Sequence, residues 1–118
     1  MFGYARIFIA ALALYGSVAE ASEAQPGFVF DIALNQFLDY PGMPTEMAFF
    51  KTDGTRTARP ACATLSRWSF SLSTPTGQGI LATLLTAQTT GKRVYVLGTG
   101  TCTQWNDSET PLTVRLEN

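Results

Sequence analysis

The sequence predicts a mainly β fold, a small closed roll of five or six strands with a single helix inserted among them. Three observations carry that expectation. Trp68, Phe70 and Leu72 alternate with Ser69, Ser71 and Ser73, the period of two expected of a strand with one buried and one wet face. Residues 75–90 follow as a run with helical start and stop signals. Further short apolar stretches, Phe28 to Leu38, Glu46 to Thr52, the run from Arg93 and Leu112 to Leu116, are separated by turns rich in Gly, Pro, Asn and Asp.

The helix is the most sharply punctuated element. Thr74 offers a hydroxyl N-cap, Pro75 a ring already set for the first turn, and Gly91 the left-handed residue that ends a helix. A helix of about four turns is therefore expected over roughly 75 to 90. Ile80, Leu81, Leu84 and Leu85, with Ala87 nearby, form the face expected to plug the roll. The opposite face, Gln78, Thr83, Thr86 and Gln88 with Ala82, is uncharged, whereas a helix facing water usually carries ion pairs. A subunit contact is expected there. Lys92-Arg93 beyond the helix suits the negative end of its dipole.

Met1 to Arg6 carries one positive charge, Ile7 to Tyr15 is apolar, and Ala19-Glu20-Ala21 has the small-x-small pattern of a signal-peptidase site. Residues 1–21 therefore read as a signal peptide and 22–118 as a single secreted or periplasmic domain. A second cleavage option, after Ala24, shifts the start by a few residues with no expected consequence downstream. The apolar run falls short of the ~20 residues that span a bilayer, so no membrane span is expected after cleavage. The net charge of the chain is −1. With cations scattered singly apart from Lys92-Arg93, no patch for nucleic acid is expected.

Cys62 and Cys102, an even count in an exported chain, are expected to form one disulfide, worth roughly 4 kcal/mol on the chain-entropy model. A nucleophilic or metal-binding thiol would need a base or further ligands, and the chain contains no histidine. Neither a metal nor a cofactor is expected. Catalysis finds no support either. Asp31, Glu46, Asp53, Asp107 and Glu109 read as isolated carboxylates, and serine and threonine lack an imidazole partner. Gly98-Thr99-Gly100-Thr101 follows a strand but has no P-loop lysine.

In chain order, residues 22–27 read as a loose polar lead-in. Phe28 to Leu38 reads as a strand with Phe28, Phe30, Ile32 and Leu34 on one face. Asp39 to Pro44 reads as a loop exposing one aromatic, and Glu46 to Thr52 as a strand closed by an Asp53-Gly54 hairpin signal. The strand from Arg93 is expected to bulge at Gly98 and Gly100. Residues 104–109 form a polar turn holding one indole, and Pro111 opens a last strand with Leu112, Val114 and Leu116. A helix between the third and fourth long strands of such a chain is the arrangement of a Greek-key barrel of the OB type.

Two sets of motifs resemble the receptor-binding B subunits of bacterial toxins built from one A and five B chains. The stretch from Cys62 to Val96, with Trp68 before the helix and Thr90-Gly91-Lys92-Arg93-Val94 after it, resembles the subtilase-cytotoxin and typhoid-toxin type. Cys102-Thr103-Gln104-Trp105-Asn106, then Thr110-Pro111 and Asn118, is similar to the cholera-toxin type. The resemblance implies an exported OB-fold protein that forms a homo-oligomer, a ring of five, and binds host or bacterial surface glycans; a toxin A subunit as partner and a free-standing relative without one both stay open. It implies that Trp105 stacks on a sugar and that Asn106 bonds its hydroxyls, with Gln104, Asp107 and Glu109 as further polar contacts. A flat indole beside amide and carboxylate groups suits a sugar's C–H face and hydroxyls. The competing expectation is that Trp105 folds back over the disulfide or a barrel end. This chain also departs from both types: Cys62 lies mid-chain, and residues 28–34 lack the serine used in the subtilase-type sialic acid site. A protein-interaction module without sugar binding is the alternative function.

Overall fold

The computed structural model describes residues 21–38 and 41–118; the expected signal peptide apart from Ala21, and Asp39-Tyr40 with its aromatic, lie outside them. The elements are β1 (Glu23–Gly27), β2 (Val29–Gln36), β3 (Glu46–Thr52), β4 (Arg56–Thr57), β5 (Trp68–Ser71), α1 (Pro75–Thr90), β6 (Val94–Gly98) and β7 (Pro111–Leu116). They pair as two antiparallel sheets, β4-β1-β6-β7 and β2-β3-β5. A parallel bridge from Trp68 to Glu109 joins β5 to the chain entering β7, so the sheets close on each other. The order is that of an OB barrel: the first long strand lies between the second and fourth, the third beside the fifth, and the helix between third and fourth.

Seven segments make up five long strands because the first two strands each bend. β1 and β2 flank Phe28, and β3 and β4 flank Asp53 to Thr55. Across the bend the two chains stay paired: Asp53 Oδ1 accepts from Phe28 N at 2.7 Å, and Gln25 N donates to Thr55 O at 2.9 Å. A Cβ on Gly54 would run into the Gln25 carbonyl, and one on Gly27 into the Gly54 amide. Asp53-Gly54 is thus not a hairpin. Its glycine serves the crossing of two backbones, which asks for the same residue as a tight turn does.

The polar lead-in is also a strand. β1 pairs on one edge with β4 and on the other with β6, and pairing on both edges overrides its low strand propensity. Ala24 is in the core, Gly98 N donates to Ser22 O at 2.8 Å, and Ser22 is buried. Cleavage after Ala24 would therefore remove paired and buried residues, contrary to the expectation that it changes nothing.

The predicted apolar face of the first long strand does not survive either. Asp31 adopts a left-handed φ of 52°, and the β2–β3 register shifts between Phe30 and Ala33. This bulge resets the pleat, so Val29 is buried and Ile32 packs on the core while Phe28, Phe30 and Leu34 stay exposed. β5 departs in the other direction. Ser69 and Ser71 are buried like Trp68 and Phe70: residues 108–109 lie against Ser69, while Ser71 packs against Ser73 and the start of the helix at Gly77. Ser69 N donates to Glu109 O, and Ser69 Oγ to Ser108 O.

β3 consequently has core on both faces. Phe50 joins Ala24, Val29, Trp68, Phe70, Leu84, Ala87, Val94 and Val96 inside the barrel. Phe49 and Met47 form a second cluster with Trp105 on the outer side. The helix matches its expected bounds, with Gly77 N donating to Thr74 Oγ1 at 3.0 Å and Gly91 at φ 67°. Leu84 and Ala87 plug the barrel with Ile80 and Leu81 against them; Leu85, expected on that face, is exposed. Thr83, Thr86, Thr89 and Thr90 each donate to the carbonyl four residues back, so the outer face carries no charge and few free donors. The expected bulge of β6 lies between Leu97 and Gly98.

Tyr95 on β6 donates to Glu23 on β1. That hydrogen bond, aided by desolvation and the Glu23 charge and opposed by Arg115, holds the phenol above its ordinary value. The folded state therefore binds this proton more tightly, and the associated stability is present below about pH 10 and lost as pH rises through the raised value. Denaturant titrations at stepped alkaline pH are expected to show an extra fall in wild type that Tyr95→Phe lacks. Parallel curves for the two proteins would refute the coupling.

Two clefts flanking Ser66 as a candidate ligand-binding site

Residues 58–67 connect β4 to β5, and three features fix their path. Ala58 takes a left-handed φ of 54°, unusual for a side chain with no polar group to compensate it. Cys62 is joined to Cys102, with Cα atoms 6.1 Å apart. Leu65 N donates to Asp107 O at 3.1 Å. The disulfide thus ties this segment to the one carrying Trp105 and Glu109.

Beneath it lies a buried ion pair. Glu109 is fully enclosed, and its Oε1 accepts from Arg56 Nη2 at 2.7 Å and from Ser22 Oγ at 2.7 Å. Gly100 N donates to Oε2 at 2.8 Å. A Cβ on Gly98 would strike that carboxylate, which explains the glycine there. Arg56 Nη1 donates to Ser66 O at 2.8 Å, and its guanidinium lies 3.9 Å over the Trp68 ring. Arg56 Nε is buried and has no hydrogen-bond partner among the described residues. Burial pushes the Arg56 guanidinium below its ordinary value; the Glu109 hydrogen bond and charge oppose this, and the nearby Arg59 charge adds to it.

Two clefts open on either side of Ser66. One, of about 300 Å³, is lined by Asp31, Phe49, Lys51, Leu65, Ser66 and Arg67. The other, of about 290 Å³, is lined by Thr52, Gly54, Arg56, Arg59, Ser66 and Trp68 among others. Each contains an aromatic ring under a guanidinium: Arg67 lies 4.0 Å over Phe49, as Arg56 does over Trp68. Arg67 is steadied by Asp107 at 3.3 Å and by Ser108 Oγ at 3.0 Å, and Lys51 faces Asp31 at 3.6 Å. Among the described residues, both with positive φ other than glycine sit here: Asp31 lines the first cleft, and Ala58 precedes Arg59 in the second. Such strain, on the order of 1–3 kcal/mol per residue, gathers where a surface is shaped for a ligand.

The expected sugar-binding residues do not converge. Trp105 is only 6% exposed, stacked on Phe37 at 4.4 Å between centroids and met edge-on by Phe49 at 5.9 Å. The indole folds back, but over the outer face of β3 rather than over the disulfide or a barrel end, and its ring is covered by Phe37 and Phe49. Glu109 is inside, not on a polar turn. Asp107 is held by Arg67, Gln104 N donates to Thr110 Oγ1, and Asn106 is exposed.

Sequence reasoning missed the clefts because Lys51, Arg56, Arg59 and Arg67 are irregularly spaced and read as scattered cations. They are four of the eight Lys and Arg residues in the chain. The one available signal was Arg56-Thr57-Ala58-Arg59, two cations in a short turn. Among the described residues no group of three or more His, Cys, Asp or Glu side chains could hold a metal. No protein-family model, curated protein or solved structure matches the chain.

Proposed function

We propose that the protein is an exported OB-fold binding subunit that recognises surface glycans in the two clefts beside Ser66 and acts as a homo-oligomer. The pair of clefts is the observation that carries this reading. Their volumes are at the lower end of the ~300–1,000 Å³ of small-ligand sites. Each brings cationic and hydroxyl donors together in a concavity, the groups that fix a sugar's hydroxyls, over a buried ring that the guanidinium itself covers. The disulfide fits an extracytoplasmic protein. The resemblance to toxin B subunits supports the same class of ligand, a ring of five, and an A subunit as partner. The sugar contact moves from Trp105 to Lys51, Ser66 and Arg67.

A glycan array probed with the oxidised protein is the test. Lys51 is partly exposed and its pair with Asp31 is a surface one, so Lys51→Ala leaves folding nearly unchanged. Binding is expected to fall about ten-fold or more in that variant, as for loss of a charged hydrogen bond. An array with no bound glycan, or affinity indifferent to Lys51, removes the proposal.

A second reading, a protein-interaction module without sugar binding, is favoured by β2. It is the outer strand of its sheet, and Phe30 and Leu34 on it are exposed, as are Phe28 before it and Leu38 after it. An apolar edge strand is a template for another chain. Native mass spectrometry separates the cases: a ring supports the first reading, whereas a monomer that captures one protein stoichiometrically supports the second.

A further inference from the structure

We propose that the cleft between Arg56 and Ser66 holds a single oxyanionic group of the ligand, a carboxylate, sulfate or phosphate, with Arg59 as its charge partner. The residues lining this cleft include Arg56 and Arg59 and no acid. The Arg56 charge is answered by Glu109, whose carboxylate is enclosed and already accepts from Ser22 and Gly100. Arg59 makes no ion pair among the described residues. The cleft therefore keeps one positive charge in excess, in a concavity where water screens it less than on an open surface.

Hydrogen bonding points the same way. Arg56 spends one donor on Ser66 O and one on Glu109, and its Nε has no acceptor among the described residues. Thr52 and Ser66 also line the cleft and carry hydroxyls. The lining thus combines guanidinium and hydroxyl donors with no carboxylate, and planar guanidinium forks match oxygens spaced as in a carboxylate, sulfate or phosphate. The left-handed Ala58 immediately before Arg59 sets the turn that brings this side chain to the cleft rather than along the strand. In the neighbouring cleft both cations already have acids, Asp31 for Lys51 and Asp107 for Arg67, so the excess charge belongs to this one alone.

The inference rests on the cleft reading above, and two measurements keep the failures apart. In the first, thermal unfolding of the oxidised protein is followed with sodium sulfate, phosphate or acetate against sodium chloride at equal ionic strength. At least one oxyanion is expected to raise Tm over chloride, and Arg59→Gln, an exposed substitution that leaves the fold intact, is expected to abolish the rise. In the second, wild type and Arg59→Gln are compared on an array holding neutral, carboxylated, sulfated and phosphorylated glycans. Binding is expected only to an acidic class, falling about ten-fold or more in the variant. The class retained identifies the group. Neutral glycans bound equally by both proteins would overturn the oxyanion site and leave the glycan reading standing. An Arg59-dependent anion effect with no glycan bound would do the reverse, and no effect in either measurement removes both.

Discussion

Replacing Glu109 by alanine is expected to lower folding stability by about 3–5 kcal/mol, the range for a buried ion pair broken from one side. A domain of this size has only about 5–15 kcal/mol in total, so much of the protein would be unfolded near its working temperature. The cost arises from what is left behind. Arg56 remains under the segment 58–67 with a side chain 13% exposed, and Ser22 Oγ and Gly100 N lose their shared acceptor. Removing both charges leaves less uncompensated, so Arg56→Ala with Glu109→Ala should be more stable than the sum of the single losses implies. Chemical denaturation of the four proteins forms the cycle. Additive losses would mean that the pair is not coupled, and that Glu109 acts through Ser22 and Gly100 alone.

Trp105→Ala is expected to lose a similar amount, about 3–5 kcal/mol, by the loss of a buried aromatic and the cavity it leaves. The indole is clamped between Phe37 and Phe49, and Met43 and Met47 pack on the same cluster. Its removal uncovers the outer face of β3. The ring is not part of either cleft, so whatever ligand affinity wild type has should persist at temperatures where the variant is still folded. The opposite pattern, intact stability with ligand binding gone, would show an indole facing outward and restore the sugar-stacking role that the resemblance implied.

Local chemistry sufficed where each residue acts on its own backbone or its immediate neighbours. The helix was legible to the residue because a capping hydroxyl, a proline ring and a left-handed glycine operate within one turn of chain. β3 was legible through its Phe49-Phe50 pair and the proline- and glycine-rich loop before it, and the cystine through an even cysteine count. The OB arrangement followed from strand count and the position of one helix. The features that misled were those whose cause lies elsewhere in the chain. Ser69 looks like part of a wet face until residues 108–109 close over it, and Gly54 looks like a turn until its Cβ position is found against Gln25.

The candidate site belongs almost wholly to the second kind. Nothing in the spacing of Lys51, Arg56, Arg59 and Arg67 distinguishes cations that share a surface from cations that do not. The outward or inward sense of Trp105 and Glu109 was equally open, since a polar turn can lie over a sheet or stand away from it. By itself the sequence determined the barrel class, the helix and the staple, because alternation, capping and cysteine pairing are short-range or countable. Only the tertiary structure decided that β1 is a strand, that Glu109 is an interior charge and that two clefts flank Ser66, because burial and charge balance depend on which distant segments close over one another.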